Sequence, residues 1–286
     1  MPLSEIQSRV LDLLAINRSE ESHLAGASGI QMSPTAPRTS HDLDLFHDSE
    51  KAVANAFNND HRLLLENDFL VDVQLSQPGF IRARIQNPSG SVLIDWARDS
   101  IWRFFKPVPL EGIGYVLHPV DLAVNKVLAL AGRDEPRDFL DTLYLHETVL
   151  PIGALIWAAA GKDPGMNPRM LLELLQRKGL VQKEELERLD LRTKIDLDTI
   201  HADWKLALAE AKEWITSRPA QDAGCLYADR ETGRLIAPEK NQPADILRGQ
   251  PGGVLPMIQG APVNSFIESE ALRSSIESFF HRKIVE

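Results

Sequence analysis

Two short stretches carry the side chains best suited to chemistry. In the first, the small residues Gly26-Ala27 and then Ser28 follow the apolar run Leu24-Ala25. In the second, His41-Asp42-Leu43-Asp44-Leu45-Phe46 places two aspartates one leucine apart. In an extended strand, alternate side chains take opposite faces. Leu43 and Leu45 then enter a core, and Asp42 and Asp44 stand side by side on the other face. Two such carboxylates repel unless a positive charge lies between them, and a hard divalent cation suits an all-oxygen donor set. The triplet alone is weak, because roughly one or two Asp-x-Asp triplets are expected by chance in ordinary soluble composition. Asp196-Leu197-Asp198 is a second one. No Gly/Ser bend precedes it, and it opens a long helical pattern, where acids in the first turn favour the helix dipole. Context therefore separates the two. A third carboxylate, Asp95, ends the apolar run Val92-Leu93-Ile94; it reads equally well as an ordinary strand-terminal turn acid.

The elements that must position these groups follow from pattern. Ser4 to about Ile16 has helical spacing through Ile6, Val10, Leu13 and Leu14, with Ser4 and Gln7 as a capping box. Ser49 to about Glu66 is helical again, with Val53, Phe57, Leu63, Leu64 and Leu65 as expected core. Three extended runs follow at 69–73, 80–86 and 91–96, separated by Pro78-Gly79 and Asn87-Pro88-Ser89-Gly90. Arg82 and Arg84 share one face of the middle run and could bring positive charge to the carboxylates. The segment 101–114 is less regular, and Tyr115-Val116-Leu117 is a further extended run. Helices are expected from Pro119 to near Gly132, with Asp121 in the first turn, and from Pro136 through Leu145. Strand signals then stop, which places a boundary near residue 148, and 151–160, 168–178, 184–189 and 198–217 read as helices. After Pro219 a small hairpin (226–228 with 234–236), a loosely ordered 240–262 and a final helix 268–283 are expected. The resulting division is 1–147, 148–218 and 219–286.

Composition bounds the function. The chain has 286 residues, 43% hydrophobic and 25% charged, with a formal net charge of -10. That is globular composition and excludes a general polyanion binder; any nucleic-acid contact must be a local basic patch. Cys225 is the single cysteine, so no intrachain disulfide can form, and a cytoplasmic setting is expected. The N-terminal residues do not read as a signal peptide. The longest apolar stretch, Leu150 to Gly161, is too short to span a bilayer.

Gly26-Ala27-Ser28, then Ser40-His41-Asp42-Leu43-Asp44, then Asp95, resembles the polymerase-β-type nucleotidyltransferase pattern. Asp121, Lys126, Ala129, Leu130 and Arg133, followed by Arg137-Asp138 and Asp141, resembles the Lys-to-Arg-Asp block of AbiEii-type nucleotidyltransferases, the toxin components of type IV toxin–antitoxin and abortive-infection pairs. The resemblance covers roughly residues 20 to 145. Ala27 stands where glycine is usual, and Pro34 and Pro37 lengthen the loop before Asp42; neither removes a carboxylate.

The resemblance implies an α/β (α+β) fold with a mixed-sheet nucleotidyltransferase core and a helical C-terminal region. It implies transfer of a nucleoside monophosphate from a nucleoside triphosphate to an acceptor such as the tRNA end, with two Mg²⁺ ions. Asp42, Asp44 and Asp95 would hold the metal, and Asp95 would also accept a proton. Gly26, Ala27, Ser28 and Ser40 would contact the nucleotide, Lys126 would face the triphosphate, and Asp138 would orient Lys126 or substrate. A protein antitoxin is the expected partner. Plainer readings accompany these: Ser40 bonding the local backbone, Lys126 a snorkelling surface lysine, Arg137 and Asp141 an i,i+4 ion pair, and Cys225 a small hydrophobe. His23, His41 and His47 are not expected as ligands of an oxygen-seeking ion. A protein hydroxyl as acceptor, or nucleotide binding without turnover, are the alternative functions.

Overall fold

The computed structural model describes residues 3–179, 181–253 and 270–285. Contacts divide the chain into two units: Met1–Ile101 with Lys106–His118 and Phe280–Glu286, and Trp102–Phe105 with Pro119–Phe279.

The first unit is a mixed sheet. Its strands are β1 (Ser22–Ala25), β2 (Asp42–His47), β3 (Leu70–Gln77), β4 (Phe80–Asn87), β5 (Gly90–Arg98), β7 (Val108–Leu110) and β8 (Gly114–Val116), in the order β3-β4-β5-β2-β1-β8-β7. The β2–β5 and β1–β8 pairs are parallel and the others antiparallel. Helices α1 (Glu5–Leu14), α2 (Gly26–Gln31) and α3 (Glu50–Glu66) belong to this unit. Ser4 caps α1 through the expected capping box with Gln7, and Ser49 caps α3. On β2 the alternation is clean: Leu43, Leu45 and His47 are buried, while Asp42, Asp44 and Phe46 are half-buried on the other face. Trp96 of β5 turns inward, and its indole N–H donates to Asp60 of α3 at 2.8 Å. Asp60 is fully buried, held by Arg18 at 2.6 Å and Asn17 at 2.8 Å. An acid at this position was not part of the core expected for α3. Leu65, which was, is exposed.

The second unit is mainly helical: α4 (Pro119–Gly132), α5 (Pro136–Thr148), α6 (Ile152–Lys162), α7 (Pro168–Gln176), α8 (Lys183–Leu186), α9 (Leu197–Ser217) and α10 (Glu270–Phe280). Asp196 caps α9 by accepting from Thr199 N at 3.1 Å, so the second Asp-x-Asp triplet is a helix start. The strand-poor region was expected to begin near 148. The contacts instead divide at His118/Pro119, because α4 and α5 pack with α6. Phe139 and Trp204 meet edge-on at 5.3 Å within this unit. The expected hairpin forms as β9 (Cys225–Asp229) with β10 (Leu235–Ile236). β11 (Ala244–Arg248), in a stretch expected to be loose, pairs with the other edge of β9. β6 (Trp102–Arg103) pairs with β12 (Gln250–Pro251). Residues 254–262 of that stretch, and 268–269 of the expected final helix, lie outside the described residues. Among the described residues no single helix is long and apolar enough to cross a membrane.

Candidate active site

Asp42 and Asp44 project from β2 on the face opposite Leu43 and Leu45. β5 runs parallel beside β2, and Asp44 is the register partner of Asp95. Neighbouring strands lie about 4.8 Å apart, so the sheet alone sets these two carboxylates next to each other. Asp95 does not end its strand as expected, since β5 continues to Arg98. A carboxylate in mid-strand is sustained here by a cross-strand partner. Arg82 on β4 is opposite Asp95 in register, and its Nε and Nη2 donate to the two Asp95 oxygens at 2.7 and 2.6 Å. The hydrogen bond to Asp95, and then the charges of Asp95, Asp42 and Asp44, raise the guanidinium above its ordinary basicity. All three acids therefore act on one cation.

The bend beside β2 is built to hold Asp44. Gly26 has φ +55, and a Cβ there would meet the Asp44 Oδ2 at 2.3 Å. Only glycine fits both the backbone conformation and the approach. The Ala27 N–H donates to Asp44 Oδ2 at 3.1 Å. Ser28 corrects its expected role. Its side chain is buried, its hydroxyl donates to Ala25 O at 3.0 Å, and it accepts from Asp44 N at 2.9 Å. The proton reserved for a phosphate is engaged within the protein, and the side chain ties α2 to β2. The Ser40 hydroxyl donates to Asp42 O at 3.2 Å, and Ser40 O accepts from Gln7 Nε2 at 2.8 Å. The first is a local backbone bond of the plainer kind; the second ties Gln7 of α1 to the segment before β2.

Asp42, Asp44 and Asp95 offer only oxygen, which suits Mg²⁺ rather than a softer metal. A protein cation, Arg82, already stands against them as an ion would. Among the described residues no three His, Cys, Asp or Glu groups converge closely enough to hold an ion as they stand. The donor set fits in kind, while both Asp95 oxygens are engaged by Arg82.

Lys126 and Asp138 belong to the second unit. Lys126 is no surface lysine: its side chain is 7% exposed, and Nζ lies 2.8 Å from Asp138 and 3.1 Å from Asp141. Arg133 also reaches Asp138. Burial works to raise the Asp138 carboxyl, but Arg133 and Lys126 outweigh it and hold it below the usual range. Asp141 is fully buried on Lys126 rather than paired with Arg137, which lies 3.6 Å from Glu135. The charge expected to face a triphosphate is thus shared by two carboxylates. Asp121, expected as a dipole acid, is instead a buried acceptor for the N–H groups of Phe104 and Phe105 at 2.8 and 2.9 Å. Burial pushes it up to about 6.

Two contributors escaped sequence reasoning; Arg82, read from its face on β4 as positive charge near the carboxylates, had a partial signal for its fork to Asp95. Asp141 as a Lys126 partner had one in the i,i+3 spacing from Asp138. The Ser28 hydroxyl had none, because a serine in a bend reads the same whichever way it bonds.

No family model matches the chain, and no curated protein does. Solved structures do. MenT4, a nucleotidyltransferase toxin from Mycobacterium tuberculosis, superposes with a TM-score of 0.54 at 14% identity, covering 76% of this chain and 83% of that one. JHP933 from Helicobacter pylori gives 0.46 at 13% identity, covering 75% and 95%. The chain has the mixed α/β fold seen in the MenT4 nucleotidyltransferase toxin.

Proposed function

We propose that the chain is a Mg²⁺-dependent nucleotidyltransferase that moves a nucleoside monophosphate from a nucleoside triphosphate to an acceptor hydroxyl. One observation carries this reading: Asp44 and Asp95 are register neighbours on parallel strands, with Asp42 two residues before Asp44 on the same face. The MenT4-like fold supports it. Bound Mg²⁺ would neutralise the triphosphate and steady the attacking and leaving oxygens at the α-phosphorus. Asp42 and Asp44 would hold one ion, and Asp95 would complete a second site. The acceptor oxygen bonds to the α-phosphorus, the bond to the β-phosphate oxygen breaks, and pyrophosphate leaves. Asp95 is the group assigned to take the hydroxyl proton. Gly26 and the Ala27 N–H fix the position of Asp44, so that no reorganisation is needed at the moment of transfer. Lys126, held by Asp138 and Asp141, is left to the second unit as part of a buried ion cluster. We assign RNA, with the tRNA acceptor end foremost, as the acceptor, and a toxin role restrained by a protein antitoxin.

The test uses each labelled nucleoside triphosphate with Mg²⁺, total RNA and the intact protein. The expected result is label in RNA with wild type and none with Asp42→Asn/Asp44→Asn. Label that persists in that variant, or never appears, refutes the reading. Label on a protein band instead of RNA keeps the chemistry and replaces the acceptor.

A further inference from the structure

Among the described residues of the first unit, two short guanidinium–carboxylate pairs have opposite settings. Arg18 and Asp60 are buried to 1% and 0% side-chain exposure, and Trp96 and Asn17 also bond Asp60. That pair cannot exchange without opening the core. Arg82 and Asp95 lie at the same 2.6 Å, but Arg82 is 40% exposed and Asp95 12%. The carboxylate is fixed in the sheet; the cation has a path to water. Phe80, two residues away on β4, presents its ring 5.6 Å from the guanidinium carbon. An aromatic face beside a guanidinium gives it favourable contact that does not depend on the carboxylate.

Resting on the metal-dependent reading above, we propose that Arg82 is a resident counter-cation that closes Asp95 to divalent ions until it is displaced. Three acids on one sheet face repel one another, and the fork satisfies both Asp95 oxygens at once. Asp42 and Asp44 are not bound by this fork, so an ion loads there first. Asp95 joins only when an incoming cation outcompetes the guanidinium, which swings outward along the exposed side. Arg82 is thus a positioning residue: it sets the order in which the carboxylates become available.

The experiment is Mn²⁺ binding to the intact protein, followed by the paramagnetic signal of the free ion, without nucleotide. Arg82→Gln is expected to tighten the weaker Mn²⁺ site by about tenfold or more, the scale of losing a charge-assisted pair of hydrogen bonds as competitor. The same substitution in an Asp95→Asn background is expected to change affinity by less than about twofold, because the fork is already broken. Mn²⁺ is expected to raise the melting temperature of Arg82→Gln more than that of wild type. Should Arg82→Gln not fold, Arg82→Lys keeps one charge without the fork, and a gain of about threefold is expected. Equal or weaker Mn²⁺ binding in the folded Arg82 variant overturns the proposal, as does an equal gain without Asp95. Mn²⁺ binding by none of the proteins overturns the metal-dependent reading itself, a result distinct from binding that Arg82 leaves unchanged.

Discussion

Gly26→Ala is the sharpest single perturbation the site offers. The new methyl would lie 2.3 Å from Asp44 Oδ2 and 2.5 Å from Cγ, at a residue with φ +55. The left-handed backbone alone costs a non-glycine residue about 1–2 kcal/mol. Overpacking against a fixed neighbour adds about 1–3 kcal/mol. Asp44 cannot retreat freely, because Ala27 N–H holds its Oδ2 and Ser28 Oγ holds its backbone N–H. The total, about 2–5 kcal/mol, is relieved only by moving the carboxylate or the bend. A displacement near 1 Å at a reacting site costs roughly 10²-fold in rate. The assay is nucleotidyl transfer from labelled triphosphate beside a thermal melt, with Gly132→Ala as control, since nothing lies within 4 Å of a Cβ there. The expected result is loss of transfer by about 10²-fold or more with a lowered melting temperature, and an unaffected control. Transfer within twofold of wild type at an unchanged melting temperature would refute the reasoning.

Other substitutions separate structure from chemistry. Ser28→Ala leaves the Asp44 N–H without its buried acceptor, a cost of about 1–3 kcal/mol; a melt unchanged by the substitution would show that the hydroxyl is not a tie. Lys126→Met removes the Lys126 ammonium from Asp141 and leaves Asp138 with Arg133 alone of its two cations; both acids are fully buried, and the change should cost about 3–5 kcal/mol. Breaking the exposed Arg98–Glu50 pair should cost less than about 1 kcal/mol, and equal losses from the two would contradict the burial argument. Burial lowers His47 and His118 from 6.5 to about 3, Arg18 adding to the effect at His47. Below pH 6.5 the unfolded chain binds up to two protons that the folded chain refuses, so stability falls as pH falls. Asp121 opposes this between about 6 and 3.8, where the folded state keeps a proton the unfolded state releases. The net of one proton gives a loss of about 1.4 kcal/mol per pH unit across that window, measurable by denaturant titration at pH 6 and pH 4. Flat or rising stability toward pH 4 would contradict these burials.

The carboxylate pair was legible in sequence because period-two alternation is a local property: Leu43 and Leu45 inward forces Asp42 and Asp44 outward. The starts of α1 and α5 were legible for the same reason, as Ser4 and Pro136 act on neighbouring turns. Long-range pairing was not. The strand carrying Asp95 looked finished at the acid, since nothing nearby in sequence shows that Arg82 faces it across the ladder. Asp60 breaks the apolar stripe of α3, and only the approach of Arg18, Asn17 and Trp96 makes it a core residue. The end of strand patterning at 148 was visible, yet helix packing decides a boundary, and α4 and α5 pack with the helices that follow them.

Mn²⁺ binding to wild type and to Asp42→Asn/Asp44→Asn, each confirmed folded by its melt, tests most directly whether this sheet face is a metal-dependent site. The expected result is binding by wild type and its loss in the variant, together with loss of label transfer from nucleoside triphosphate. Binding that survives in the variant, or wild type that takes up neither Mn²⁺ nor label, would contradict it.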